Sequence, residues 1–303
     1  MSLKNILSLL SDPDSGQDLI ITNNTLTTAN GEHVYNIDGD VPLLFSTHTD
    51  REHLAEEEKL AEMMKRTPSS PHDAFSLQQW AQSKKEFWAK TKQLINSRPS
   101  GQNIINIGCG YDDHADEFAT SGHTFINFDL VKTMLLDNKN HSQNGGYYVA
   151  GDINYLPFKK QSFDVVISID IIHHEYARLP EILKKLTDLL KPGGLLLLED
   201  PNAWAIFQIP KTLLPQSIHT AARKLYHRLK KSTHQPADYE FPTSPFYVKN
   251  ILKDLGMKDV VFHSHDAYPG APKFFYLIYK TLRFLPFIAK FGNYHYFLSA
   301  TKK

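Results

Sequence analysis

The run 103-NIINIGCGYDDHADEFA-119 constrains this chain more than any other stretch. Apolar residues stop at Gly108, a second glycine follows at Gly110, and the chain then turns polar. An apolar run that ends in a glycine turn and passes into a polar, helix-compatible segment reads as strand, turn and helix. Glycines at such a turn let the backbone take positive φ and approach a ligand, and the helix start offers free N–H groups to polar ligand atoms. A glycine pair alone is served equally well by a tight turn with no ligand.

Asp129 sharpens the reading. It ends the next strand-like run, 124-TFINFD-129. A carboxylate about 20 residues past the first glycine is placed to accept from both hydroxyls of a ribose. Standing alone it would read as a helix N-cap before Leu130. The dinucleotide fingerprint G-x-G-x-x-G/A is not met, because the chain reads Gly108-Cys109-Gly110-Tyr111-Asp112-Asp113. A nucleoside-type ligand without phosphate needs fewer close approaches.

Downstream of residue 103, strand candidates Ile104–Ile107, Thr124–Asp129, Tyr147–Ala150, Val165–Ile169 and Leu195–Glu199 alternate with helix candidates. The clearest helix is 179-LPEILKKLTDLL-190, closed by Lys191-Pro192-Gly193-Gly194. Such alternation predicts an α/β fold, a doubly wound and mostly parallel sheet with helices on both faces. Upstream, residues 1–48 read as a small β-rich domain, with strands over Leu19–Thr22, Thr25–Thr28, Val34–Ile37 and Val41–Phe45. Residues 49–75 form a helical linker that ends in the exposed turn 67-TPSSPHD-73. The helix over 76–95 carries Leu77, Trp80, Phe87, Trp88 and Leu94 at helical spacing and opens the main domain, 76–303.

Formal net charge is zero, so no global field gathers nucleic acid or anionic lipid. Cys109 is the one cysteine, which excludes an intrachain disulfide. No apolar run is long enough for a transmembrane helix, and the N-terminal apolar stretch is too short for a secretory signal. A cytoplasmic location is the expectation.

The stretch 147-YYVAGDINYLPFKKQSFDVVISIDIIHHE-175 resembles the class I S-adenosylmethionine-dependent methyltransferases. Their pattern of Gly-Asp, Leu-Pro-Phe and Phe-Asp before a buried strand appears as Gly151-Asp152, Leu156-Pro157-Phe158 and Phe163-Asp164-Val165-Val166. Their later Pro-Gly-Gly turn appears in 190-LKPGGLLLLED-200, and their terminal strands fit 249–262 and 294–300. The resemblance covers roughly residues 80–303. It implies the seven-stranded class I methyltransferase fold with a final antiparallel strand, S-adenosylmethionine as donor and S-adenosylhomocysteine as product. By position it implies that Gly108, Cys109 and Gly110 line the methionine and ribose side. Asp129 would bind the ribose hydroxyls and Leu130 would pack on adenine. Asp152 would accept from the adenine amino group beside Ile153, and Asp170 would line the sulfonium end. Two positions depart from the pattern. Asn106 stands where a carboxylate usually helps hold the ligand's ammonium, and an amide oxygen accepts without charge assistance. Asp112 stands in place of the third glycine, where it either caps the following helix or supplies the charge Asn106 lacks; capping is the preferred reading.

His173 and His174 are the candidate catalytic bases, since histidine titrates near neutrality. The competing reading packs one inward and leaves the other solvated. Metal at this pair, or at His263 and His265, lacks carboxylate support, and no metal is expected. The sequence Asp-Ile-Ile-His-His lacks the Asn/Asp-Pro-Pro-Tyr motif by which some relatives methylate base or amide nitrogens, which argues against a nucleic-acid amino group. Insertions at 205–242 and 268–292 are expected to set acceptor choice. The first holds a basic amphipathic segment, Arg223 to Lys231. The second is aromatic, and core or dimer packing is expected of it before a membrane-facing role. Together they leave room for a small-molecule, amphipathic or lipid-linked acceptor and for peripheral membrane contact.

The N-terminal stretch 10-LSDPDSGQDL-19 with 35-YNIDGDVPLLF-45 is similar to small zinc-ribbon-like domains, including the activator subunit of certain methyltransferases. Their Cys-Pro-x-Cys knuckle is replaced here by Asp12 and Ser15, which implies a metal-free version used for packing or partner contact. Across the whole chain, the leading expectation is an active methyltransferase. Its rival is a non-catalytic protein of the same fold that binds S-adenosylmethionine or S-adenosylhomocysteine.

Overall fold

The computed structural model describes residues 2–66, 77–205, 241–264 and 273–303. The expected linker turn at 67–73, the basic segment Arg223 to Lys231 and His265 lie outside the described residues.

The chain begins with short strands whose turns dictate their pairing. β1 (Leu19–Thr22) and β2 (Thr25–Thr28) are antiparallel and joined at Asn23-Asn24. Both asparagines have positive φ, 48° and 63°, which matches the right-handed twist of a two-residue hairpin. β3 (Val34–Asp38) and β4 (Val41–Leu44) turn through Gly39 and Asp40, also at positive φ. β4 then pairs in parallel with β7 (Tyr147–Gly151), Leu43 opposite Ala150 and Leu44 opposite Gly151. The N-terminal strands therefore continue the main sheet.

That sheet runs β1-β2-β3-β4-β7-β6-β5-β8-β9-β11-β10. Here β5 is Asn103–Ile107, β6 Thr124–Asp129, β8 Phe163–Ile169, β9 Leu190–Pro201, β10 Lys258–His263 and β11 His295–Thr301. From β4 through β9 the pairs are parallel, whereas β11 runs antiparallel to both β9 and β10. The expected doubly wound sheet with a final antiparallel strand is present.

The central strands are apolar on both faces because both faces are covered. On one face Phe87 and Trp88 of α2 (Leu77–Asn96), Phe118 of α3 (Ala115–Thr120) and Leu135 of α4 (Lys132–His141) pack on Ile104, Phe125 and Ile167. On the other, Ile182 and Leu186 of α5 (Leu179–Leu189) and Val248 of α6 (Pro245–Asp254) pack on Ile105, Val166 and Leu198. Before these, α1 (Arg51–Arg66) lies against α4. Two further helices, α7 (Lys273–Leu282) and α8 (Pro286–Phe291), join β10 to β11.

The Lys-Pro-Gly-Gly segment differs from its expected role as a plain helix stop. α5 ends at Leu189, and residues 190–194 already belong to β9, as a bulge between the Phe163–Leu190 and Val165–Leu195 pairs. The chain end stabilises this, because Gly193 N–H donates to Lys302 O and Lys302 N–H donates to Gly194 O.

Candidate active site

Sheet order reverses at β5, which has β6 on one side and β8 on the other. In open α/β sheets this switch point opens a crevice beyond the carboxyl ends of the strands. The strand ends there are Gly108, Asp129, Asp152 and Asp170, four of the positions expected from sequence.

Gly108 has φ +69°, and a Cβ added to it would sit 2.5 Å from the Ile171 side chain, so only glycine fits. Its N–H donates to Phe128 O. Gly110, at φ +52°, donates its N–H to Asp129 Oδ2 at 2.7 Å. Asp129 Oδ1 accepts from Val131 N–H at 2.9 Å, so this carboxylate ties the glycine turn to the entry of α4. Burial pushes the Asp129 carboxyl up to about 6, against those two N–H donors and with help from Glu57 and Glu58. Leu130 is half-buried beside it, and Cys109 is buried with its thiol pushed well up, first by burial and then by the Asp129 charge.

Asn106 is fully buried in β5, where its Nδ2 donates to Asp112 O and Asn127 Oδ1, both at 3.3 Å. Its Oδ1 is buried and meets no donor among the described residues. Asp152 follows β7 with Oδ1 accepting from Asn154 N–H at 2.8 Å, and Ile153 is half-buried next to it.

Asp112 does not cap α3. Its carboxylate accepts from the Trp88 indole N–H and lies 3.2 Å from His114 Nε2, while Asp113 Oδ1 takes the Ala115 N–H at 2.8 Å. The side chain is drawn inward because α2 presents a buried indole donor that needs a partner.

Asp170 ends β8 in a left-handed conformation, φ +53°. Its Oδ2 is 2.6 Å from Lys84 Nζ and its Oδ1 is 3.1 Å from His295 Nε2. Lys84 is fully buried and also donates to Glu199 Oε2 at 2.7 Å. Burial opposes the charge on each partner. The His295 and Lys84 charges still hold the Asp170 carboxyl well below its usual range, and Asp170 with Glu199 holds the Lys84 ammonium well above the lysine range. Sequence reading missed Lys84, Glu199 and His295. One signal was available: Lys84 falls on the apolar stripe of α2, four residues after Trp80 and four before Trp88.

The two histidines are separated in role. His173 Nδ1 lies 3.0 Å from Asp200 Oδ1. Asp200 is fully buried, and its Oδ2 accepts from Thr243 Oγ1 at 2.7 Å, which is itself 2.7 Å from the Tyr296 hydroxyl. A carboxylate on Nδ1 favours the tautomer with the proton on that nitrogen. His174 stacks at a tilt over His173, with ring centroids 4.1 Å apart. His174 is exposed, yet the protein around it and then the neighbouring His173 push its pKa down. Among the described residues no cluster of three or more histidine, cysteine or acidic side chains could hold a metal.

Residues 105–198 match a protein family described as "Methyltransferase domain". That match takes in the strands and turns that carry Asn106, Gly108, Asp129, Asp152 and Asp170. A phthiotriol/phenolphthiotriol dimycocerosates methyltransferase of Mycobacterium leprae (strain TN) is 35% identical over 98 residues, 31% of this chain and 36% of that protein. A tRNA (carboxymethyluridine(34)-5-O)-methyltransferase of Arabidopsis thaliana is 29% identical over 129 residues, 42% of this chain and 30% of that protein. The chain thus spans about a third of the length of these relatives. The chain shares its fold with magnesium protoporphyrin IX methyltransferase from Synechocystis PCC 6803 with bound SAH. The TM-score is 0.51 and the identity 13%, covering 84% of this chain and 98% of that one.

Proposed function

We propose that this chain is an S-adenosylmethionine-dependent methyltransferase that acts on a hydroxyl of an amphipathic acceptor, with His173 as the base. The observation that carries the donor is the Asp129 carboxylate, buried at the switch point and seated on the glycine turn. The residues present suit such a ligand. Asn106 Oδ1 is a buried acceptor with no donor among the described residues, as an ammonium group would require. Gly108, Cys109 and Gly110 would line the methionine and ribose side, where the space beside Gly110 is open and Ile171 packs on Gly108. Asp129 would take the ribose hydroxyls, Leu130 and Ile153 would flank adenine, Asp152 would accept from its amino group, and Asp170 would face the sulfonium end.

S-adenosylmethionine supplies a methyl group already activated on a sulfonium. The chain's own task is then alignment, exclusion of water and, for a hydroxyl acceptor, removal of one proton. His173 Nε2 takes that proton, and Asp200 stabilises the imidazolium from the far side of the ring. A base of this kind is superfluous for an amine acceptor that is already neutral, so the dyad favours oxygen. The relatives' names leave the acceptor between a dimycocerosate-type lipid and tRNA. Zero net charge favours the lipid-like acceptor, because nucleic acid binding draws on phosphate neutralisation.

The same reading keeps 1–48 as a metal-free zinc-ribbon-like domain, 49–75 as its helical linker and 76–303 as the catalytic domain in the cytoplasm. Asp12 supports it, since this carboxylate at the first knuckle position gathers the Asp14 and Ser15 N–H groups that a metal site would otherwise organise. The second reading, a non-catalytic binder, is favoured by the uncharged Asn106. Release of S-adenosylhomocysteine with lipid extracts as acceptor separates the two. His173→Asn and Asp200→Asn are expected to lower kcat by about 10²–10⁴ without weakening donor binding measured by calorimetry. Donor binding without turnover on any acceptor pool supports the binder. An unchanged pH–rate profile in Asp200→Asn removes the base assignment.

A further inference from the structure

We infer that the connection over residues 273–292, between β10 and β11, is a docking surface for an anionic bilayer. Topology places it. β10 has the same direction as the parallel strands and ends at His263, and β11 starts back at His295, so α7 and α8 connect at the carboxyl edge where the site opens. Asn202, just past β9, fixes its base by donating to Phe291 O at 2.7 Å and Asn293 O at 3.1 Å. His295, three residues past Gly292, touches Asp170.

The surface of this connection is the reverse of what a water-facing segment shows. Leu277, Phe284 and Phe287 are 63%, 75% and 57% exposed, and Leu285 is exposed between them. Of the core or dimer packing expected for this segment, Tyr279 and Phe291 pack inward, whereas these four stay exposed on the single chain. Segment 273–292 also carries Lys273, Lys280, Arg283 and Lys290 with no acidic residue, in a chain whose net charge is zero. Exposed aromatics interleaved with cations fit a headgroup layer, where rings sit at the acyl boundary and the cations meet lipid phosphate. Trp204, just past β9, and Tyr247, in the first turn of α6, are also exposed, and the Trp204 indole N–H donates to Ser244 Oγ beside the Thr243 that holds Asp200.

Docking there sets the mouth of the site against the membrane, so an acceptor with a hydrocarbon tail reaches His173 without leaving the bilayer. This consequence rests on the methyltransferase reading; the docking does not. Flotation of the full chain with phosphatidylcholine vesicles, with and without phosphatidylglycerol, tests it. Binding is expected only with the anionic lipid and is expected to weaken with salt. Phe284→Glu with Phe287→Glu should reduce it about tenfold or more, and Arg283→Gln with Lys290→Gln should reduce it several-fold. Donor binding by calorimetry should stay unchanged in both variants. No binding to anionic vesicles, or binding indifferent to both variants, overturns the inference. So does a shift from dimer to monomer in the Phe variant, which would make the face a contact between copies. Loss of donor binding in the unmodified chain would instead sink the methyltransferase reading and leave the docking result standing.

Discussion

Asp129 is already committed before any ligand arrives. Each of its oxygens accepts one backbone N–H, from Gly110 and Val131, yet burial still raises its carboxyl to about 6. Ribose hydroxyls would add donors to a carboxylate whose desolvation cost has been met in the fold. Asp129→Ala is therefore expected to lose about 1.5–3 kcal/mol of S-adenosylmethionine affinity in calorimetry. The pH sign follows from which form accepts: only the ionised carboxyl takes two donors, so affinity should fall as pH drops through about 6 and level off above it. Affinity indifferent to pH across that value removes the ribose role. Asp129 was legible in the sequence because a strand, a glycine turn and a fixed spacing define its place locally. Asp112 was misjudged because its partners, Trp88 and His114, compete with the helix end, and which wins depends on packing between α2 and α3.

At the scale of elements, α2 is the part that sequence reading understood least. Its apolar stripe fixed which face packs, and Phe87 and Trp88 do meet the sheet. The same stripe buries Lys84, whose partners Glu199 and His295 are 115 and 211 residues away in the chain. No local pattern announces a contact that only strand order brings together, since β9 and β11 become neighbours of the site through the sheet. The buried cation holds two carboxylates, one of them the Asp170 that ends β8 in strained backbone. Removing it takes away the cation the two carboxylates share and leaves His295 as the positive group beside them, so Lys84→Met is expected to cost about 3–5 kcal/mol in urea unfolding. Restoring charge balance with Glu199→Gln in the same chain should recover part of that loss. A double variant as unstable as the single one would show that Lys84 matters through packing alone.

The whole molecule joins two units that sequence reading separated by composition. Ile6, Leu10, Leu19 and Leu26 of the N-terminal unit belong to one core with Phe128, Phe158 and Val166 of the main sheet. β4 adds to β7, and Ser11 N–H donates to Pro157 O while Lys159 N–H donates to Leu9 O, so the seam is backbone as well as side chain. The four N-terminal strands were readable in the sequence because their apolar runs are short and lie either side of Asn23-Asn24 and Asp38-Gly39-Asp40. The seam was not, because an edge strand carries no sign of what will pair with it. What organises the unit is Asp12, buried and accepting from the Asp14 and Ser15 amides, the Ser15 hydroxyl, the Tyr35 hydroxyl and His33 Nδ1. Burial alone would raise its carboxyl, but the Ser15 amide, Tyr35 and His33 outweigh burial and lower it. The stability it contributes is therefore full above the ordinary carboxyl value of 3.8 and is lost as pH falls through its lower folded value. The His33 partner has the opposite sign: its pKa is raised, chiefly by the bond to Asp12, so its share is full below 6.5 and fades as pH rises through the folded value. Asp12→Asn replaces acceptor capacity with a donor facing donors and is expected to cost about 2–4 kcal/mol in thermal or urea unfolding. Because this carboxylate does the organising, chelator should leave the melting temperature of the unmodified chain where it was. A melting temperature that drops on chelation and returns with zinc would show that a metal, not Asp12, holds the knuckle.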